Sequence, residues 1–361
     1  MYGSGNKEKN SGFSLMELLV VMAIFSIIAM VLSSMLNTTS RSLITTKERV
    51  RQFGNARVAF EYLSRNLKQA TLNTYWDYQY STGDPITSAP DGYTAKSDIQ
   101  FKVEHTSELL GEADVAEGKF QGHAVFFQAP LGASDRYNSL KNLLNARGYF
   151  IEFGDDLSYR PDFLGDRVAS RYRYRLKEFR PPGEYNLIYK ELNSGDEAAP
   201  PEFNEWFRAN SDLYDVALPY HKVVRNVADN IIALIVSPRI SEKEAGKLGY
   251  RLPQEYAPNY TYDSRIEFPT GNENEKSTHK LPPLVKLIMV SISEKSAIDL
   301  QDKNGIEPPP ELLVEASLFQ DALKLTEDLE IYENQLREHN IEYRFFQTVV
   351  GMQSAKWSDE N

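Results

Sequence analysis

Cysteine is absent from the 361 residues. Disulfide staples, thiolate catalysis and cysteine-ligated metal sites are therefore excluded, although the absence assigns no compartment. Histidine is nearly as scarce. His105, His123, His221, His279 and His339 are scattered through the sequence without the spacing of a metal-binding pair. Neither HExxH nor an outer-domain GxSxG occurs, and the Gly111–Lys119 segment (GEADVAEGK) has the wrong gap for a phosphate loop, with Phe120 where a hydroxyl is needed. Positive charge is also in deficit. Forty basic residues face 51 acidic ones, a net charge of -11, which argues against broad attraction to nucleic acid or anionic lipid. Proline is missing from Phe13 to Leu72, and long apolar runs are missing everywhere but one place.

That place is Gly12 to Leu36, GFSLMELLVVMAIFSIIAMVLSSML, and no charge occurs from Leu18 to Ser40. The run exceeds the roughly 20 apolar residues a bilayer span needs. One acid, Glu17, sits at its head, where an ionised carboxylate costs several kcal/mol unless a cation pairs with it. A cleaved secretory signal would have a shorter apolar core and a small-residue cleavage site, and SSMLNTTS provides none. A plain uncleaved anchor explains the hydrophobicity, and Lys7 and Lys9 favour a cytoplasmic N-terminus. It leaves Glu17 and the Gly12 junction unexplained.

The string Gly12-Phe13-Ser14-Leu15-Met16-Glu17 with Leu18-Leu19-Val20-Val21 resembles the leader of type IV prepilins. The resemblance implies cleavage by a prepilin peptidase between Gly12 and Phe13, N-methylation of Phe13, and pairing of Glu17 with the new α-amino group of a neighbouring subunit. It also implies other pilins or pseudopilins and an inner-membrane assembly platform as partners. The segment order further resembles the large minor pseudopilin J of type II secretion, the W-type minor pilins, and the cassette protein C group of prepilin-like proteins known from Verrucomicrobia. The implied plan is a leader at 1–12, the transmembrane half of a long helix at 13–36, its extramembrane half at 37–72, and a globular head at 73–361. The head would lie in the periplasm behind a single inner-membrane pass.

The residues beyond the span read as α+β, a long helix packed on a mostly antiparallel sheet with an extra C-terminal helix. Val50, Phe53, Ala56, Phe60, Leu63, Leu67 and Ala70 recur at helical spacing, opposite Arg49, Arg51, Arg57, Glu61, Arg65 and Lys68. A Gly, Pro, Ser and Thr-rich loop is expected to about residue 97. Strands are expected at Ile99–Val103, Ala124–Ala129, Tyr149–Phe153 and 171–180, with a helical turn at Ser139–Arg147. Residues 183–222, which hold Pro200-Pro201 and the aromatic pair Trp206-Phe207, read as loop with a short helix. Ile231–Val236 and Leu284–Ser293 are the buried strands, with a Tyr-rich polar insertion from Lys243 to His279 between them. A long amphipathic helix from Leu312 to Leu336 and a closing strand from Ile341 complete the head.

Two features admit a ligand. Asp155, Asp156, Asp162 and Asp166 offer oxygen ligands for Ca²⁺, but no loop motif places them and solvated turns account for them better. In RYRYRLKEFR (171–180), Arg171, Arg173 and Arg175 alternate with tyrosines and could contact glycan or nucleic acid. The alternation equally describes tyrosines turned inward and arginines in water, which the acidic whole favours. The sequence therefore points to no enzyme and requires no cofactor. It points to a filament subunit of the minor pilin or pseudopilin kind, with a membrane-tethered binding module for glycan, DNA or an exported protein as the alternative.

Overall fold

The computed structural model describes residues 14–80, 89–111, 116–138, 140–161, 163, 167–186, 188, 206–207, 220–266 and 278–355. The chain divides into two units, Met1–Arg51 and Gln52–Asn361. Helix α1 runs Leu15–Leu67, and its first part belongs to the first unit. There Leu15, Phe25, Met30, Met35 and their apolar neighbours are all exposed.

The second unit is α+β and antiparallel throughout. In chain order its elements are β1 (Tyr75–Gln79), β2 (Gly92–Lys96), β3 (Lys102–His105), α2 (Thr106–Leu110), β4 (Phe120–Pro130), β5 (Leu144–Gly154), β6 (Arg173–Phe179), β7 (Val224–Asp229), β8 (Ile231–Arg239), α3 (Glu242–Leu248), β9 (Tyr262–Asp263), β10 (Leu284–Ile292), α4 (Glu294–Asn304), α5 (Leu325–Glu338) and β11 (Tyr343–Gly351). They form a six-stranded sheet, β7-β6-β5-β4-β3-β9, a three-stranded sheet, β11-β10-β8, and a β1-β2 ribbon.

Period-2 alternation gives the six-stranded sheet two apolar faces. Val125 and Phe127 of β4 and Tyr149 and Ile151 of β5 join a core that also holds β8, β10 and the helix residues Ala56, Ala59, Phe60, Leu63 and Leu67. Fully burying each large side chain of that stripe contributes about 1.5–3 kcal/mol. Polar contacts fix the helix in register. Asn66 donates to the Tyr149 hydroxyl at 2.8 Å, and Tyr149 donates to Glu178 at 2.7 Å. Glu178 is ion-paired with Arg147 at 3.2 Å and accepts from Tyr62 at 3.1 Å. Burial, reinforced by the Glu178 charge, pushes the Tyr149 hydroxyl well above its ordinary pKa, so it stays a donor.

The opposite face carries a second core. Phe126, Phe150 and Phe179 pack there with Trp206 and Phe207, the Phe126 and Phe207 rings stacking at 4.6 Å. Gly148 makes this possible. It lies directly across from Phe126 in the ladder, and a Cβ built on it would fall 2.1 Å from that ring. Gly148→Ala is therefore expected to lower stability by about 1–3 kcal/mol through overpacking, read as a reduced urea midpoint at unchanged slope. An unchanged midpoint would mean the aromatic cluster can shift.

The two sheets meet where β4 crosses β8. The β4–β5 register shifts between Gln121 and Val125, and Gly122 at φ +69° lets the Leu234 carbonyl approach to 2.6 Å of where a Cβ would stand. The bulge side chains then satisfy the free edge of β8. Gln121 donates to the Ile232 carbonyl, and the Val236 N–H donates to His123 Nδ1 at 3.1 Å.

Several expectations change. The 73–97 stretch holds the β1-β2 ribbon, not only loop. Strand β5 begins at Leu144 and displaces the helical turn expected at Ser139–Arg147, of which residue 139 lies outside the described residues. The C-terminal helix starts at Leu325, because Phe319 at φ 57° breaks the apolar period that begins at Leu312. Helix α4 was not signalled, since only Ala297 and Leu300 of its 11 residues are buried.

Candidate functional site: the head of the long helix

Ser14 and Glu17 open α1 as a reciprocal cap. The Ser14 N–H donates to Glu17 Oε2 at 3.1 Å, the Met16 N–H approaches Ser14 Oγ at 3.4 Å, and the first helical bond runs from Leu18 N–H to the Ser14 carbonyl at 3.2 Å. Ser-x-x-Glu is a capping signature, and an acid in the first turn also complements the helix dipole. This local role of Glu17 was readable in the sequence through its spacing from Ser14. The cap engages one carboxylate oxygen, and the side chain lies exposed.

From Leu15 to Ser40 the helix is long and apolar enough to cross a membrane, and none of it is buried within the protein. Four of its hydroxyls bond back to the helix. Ser26 donates to the Met22 carbonyl at 2.8 Å, Ser34 to Val31 at 3.2 Å, Thr38 to Ser34 at 2.9 Å and Thr39 to Met35 at 2.8 Å. Backbone-directed bonds of this kind let polar side chains sit in lipid without unpaired donors. The result is a continuous apolar surface with one carboxylate near its start. Gly12 and Phe13, the expected cleavage and methylation positions, lie outside the described residues.

The arginines of 171–180 are not gathered into a contact surface. Arg171 is exposed, and its N–H donates to Asp156 at 3.0 Å. Arg173 is 5% exposed and pairs with Glu294 at 2.5 Å, while Arg175 is 1% exposed and pairs with Asp229 at 2.7 Å. Arg175 also donates to the carbonyls of Gly154 at 2.6 Å and Arg171 at 2.9 Å. Both the ligand expectation and the alternative of arginines in water are overturned for Arg173 and Arg175. β6 is covered on both faces, so its charges are paired inside the protein, as buried ions must be.

The acids nearby also serve local turns. Asp155 accepts from the Leu157 N–H at 2.9 Å, and Asp156 pairs with Arg160 at 2.9 Å. Burial raises the Asp156 carboxyl, but the Arg171 N–H and Arg160 outweigh it and hold the group below its ordinary value. Asp162 and Asp166 lie outside the described residues. Among the described residues no group of three or more His, Asp or Glu is placed to hold a metal ion. Two of the scattered histidines do come together, as His105 and His123 face each other across β3 and β4 with ring centroids 4.6 Å apart.

Comparison with known proteins bears on the same helix. The family model of the prokaryotic N-terminal methylation motif matches residues 7–33. No curated protein matches the chain, and no solved structure does. The motif supports a type IV pilin-like precursor of the kind a prepilin peptidase processes and that assembles with other pilins, a structural subunit rather than an enzyme. One N-terminal apolar helix with that leader fits a single-pass membrane anchor.

Proposed function

We propose that this chain is a minor pilin or pseudopilin, a low-copy structural subunit of a type IV pilus-like or type II secretion-like filament. The observation that carries this is Glu17, which lies inside the matched leader motif as the one acid at the head of an otherwise uncharged, wholly exposed apolar helix. Cleavage between Gly12 and Phe13 leaves residues 1–12 behind and creates an α-amino group four residues before Glu17. That cation, N-methylated on Phe13, enters the membrane and needs an anion, which Glu17 of an adjacent subunit supplies. Residues 13–36 then serve as both anchor and assembly surface, 37–72 carry the helix out of the membrane, and 73–361 form the head. Lys7 and Lys9 keep the N-terminus cytoplasmic, which places the head in the periplasm. A head of nearly 290 residues, from the 361 of the whole, is awkward to repeat along a thin fibre and suits a priming or tip position.

The test is the mass of the N-terminus after co-expression with a prepilin peptidase. The expected chain starts at N-methylated Phe13 when the peptidase is present and at Met1 when it is absent. A chain that keeps Met1, or an unmethylated Phe13, in the presence of active peptidase would refute the proposal.

A further inference from the structure

The β1-β2 ribbon carries an aromatic face that none of the described residues covers. Its register places Trp76 opposite Ala95 and Tyr78 opposite Tyr93, so Trp76, Tyr78 and Tyr93 share one side. They are 64%, 58% and 65% exposed, values far from those of core aromatics. The other side holds Tyr75, Asp77 and Lys96, and the two charges there pair with each other. The aromatic side is therefore uncharged, on a protein of net charge -11.

An isolated two-stranded ribbon is marginal in water, yet the base of this one is anchored. Asn73 donates to Asp98 at 2.8 Å and accepts from the Ser97 hydroxyl and the Asp98 N–H, each at 3.0 Å. Thr74 donates to the His279 carbonyl at 3.1 Å, and Arg265 to the Asp98 carbonyl at 3.1 Å. Trp76 and Tyr78, two residues apart on one strand, stand roughly 7 Å from each other. Tyr93 meets Tyr78 with ring centroids 5.7 Å apart. The arrangement is a short row of held aromatic rings.

We propose that this face binds a neutral polysaccharide of β-linked pyranose units. In such sugars the hydroxyls lie at the ring rim and the ring faces present C–H groups, which stack on Trp and Tyr, while the phenol and indole edges meet the rim hydroxyls. Charge points the same way. The face carries no cation for a phosphate, sulfate or carboxylate, and the acidic whole repels polyanions. Area separates a sugar from a protein partner. Three rings at these exposures offer roughly 300–450 Å², against about 800 Å² per partner in a stable protein interface. A chain of flat sugars gains from a few stacked rings, whereas a protein needs a broader surface.

The test uses the full chain in detergent with amorphous cellulose and chitin as probes, and with phosphatidylcholine vesicles as a separate arm. Retention on at least one polysaccharide is expected, insensitive to salt. The double variant Trp76→Ala, Tyr78→Ala should lower it at least tenfold, and Tyr75→Ala on the opposite side should leave it within twofold. Both variants must keep the wild-type urea midpoint of the head. Should the double variant unfold the head, Tyr93→Ala replaces it with the same expectation of loss. Absence of retention on both polysaccharides, retention unchanged by loss of the rings, or binding confined to vesicles would overturn the proposal. None of these outcomes depends on leader cleavage, so the filament reading stands or falls separately.

Discussion

Glu17→Gln is expected to insert and be cleaved like the wild type, yet to lose co-assembly with pilin partners by tenfold or more. The substitution separates the two things this carboxylate can do. Glutamine serves at the third position of a capping arrangement, so it keeps an oxygen for the Ser14 N–H, 3.1 Å away in the native protein. What it loses is charge. Insertion gets easier, because an ionised group at a span costs up to about 2.5–3.5 kcal/mol on insertion scales. If Glu17 were only a helix cap, worth about 1 kcal/mol, Gln would be nearly silent and Ala mildly harmful. If it neutralises a neighbour's α-amino group, both fail alike, since a cation left unpaired in lipid costs several kcal/mol. Co-purification of the Gln and Ala variants with partner subunits distinguishes these outcomes. Wild-type recovery of the Gln variant would reduce Glu17 to its cap.

The span, the acid at its head and the two buried strands were legible because each rests on a one-dimensional signal. Ile231–Val236 is a continuous apolar run and Leu284–Ile292 an apolar one interrupted by Lys286 and Ser291, and both became buried strands of the first core. What was not legible depended on which side of a residue is covered. β6 alternates as the sequence says, but Glu294, Asp229 and Glu152 close over its basic side, and these carboxylates are far away in the chain. The Tyr-rich segment looked like a polar insertion. Instead, Tyr256, Tyr260 and Tyr262 are buried, with the Tyr262 hydroxyl donating to the Lys280 carbonyl at 2.9 Å. Tyrosine is amphipathic, so its type alone does not say whether it turns in or out. The aromatic ribbon is the converse case. Its alternation at Tyr75–Gln79 is strand-like, but the Gly, Pro and Ser residues around it dominate the local composition and mask it.

Acid should loosen the junction between the two sheets well before the carboxylates titrate. His123 is fully buried on β4, with its Nδ1 accepting the Val236 N–H at 3.1 Å. It must therefore be neutral with its proton on Nε2, because a second proton on Nδ1 would confront a backbone donor. Burial, then the neighbouring His105, push its pKa well below 6.5. Burial lowers His105 as well, against the pull of Glu104. A histidine depressed in the fold takes up its proton first in the unfolded chain. Its contribution is complete above about pH 6.5 and is lost as pH falls from there towards the folded pKa, at about 1.4 kcal/mol per unit. From pH 7 to pH 5 His123 should therefore lower stability progressively. Asp156, Glu294 and Glu311, whose carboxyls are held low, lose their contributions only below about pH 4.5. Glu104 and Asp328, raised by burial, act in the opposite direction near that acid end. His123→Asn is the informative variant, since its side-chain oxygen can take the Val236 N–H and carries no titrating group. Urea midpoints at pH 7, 6 and 5 should fall steeply for the wild type and much less for His123→Asn. Parallel slopes would mean that His123 is not the group through which acid reaches the β4–β8 crossing.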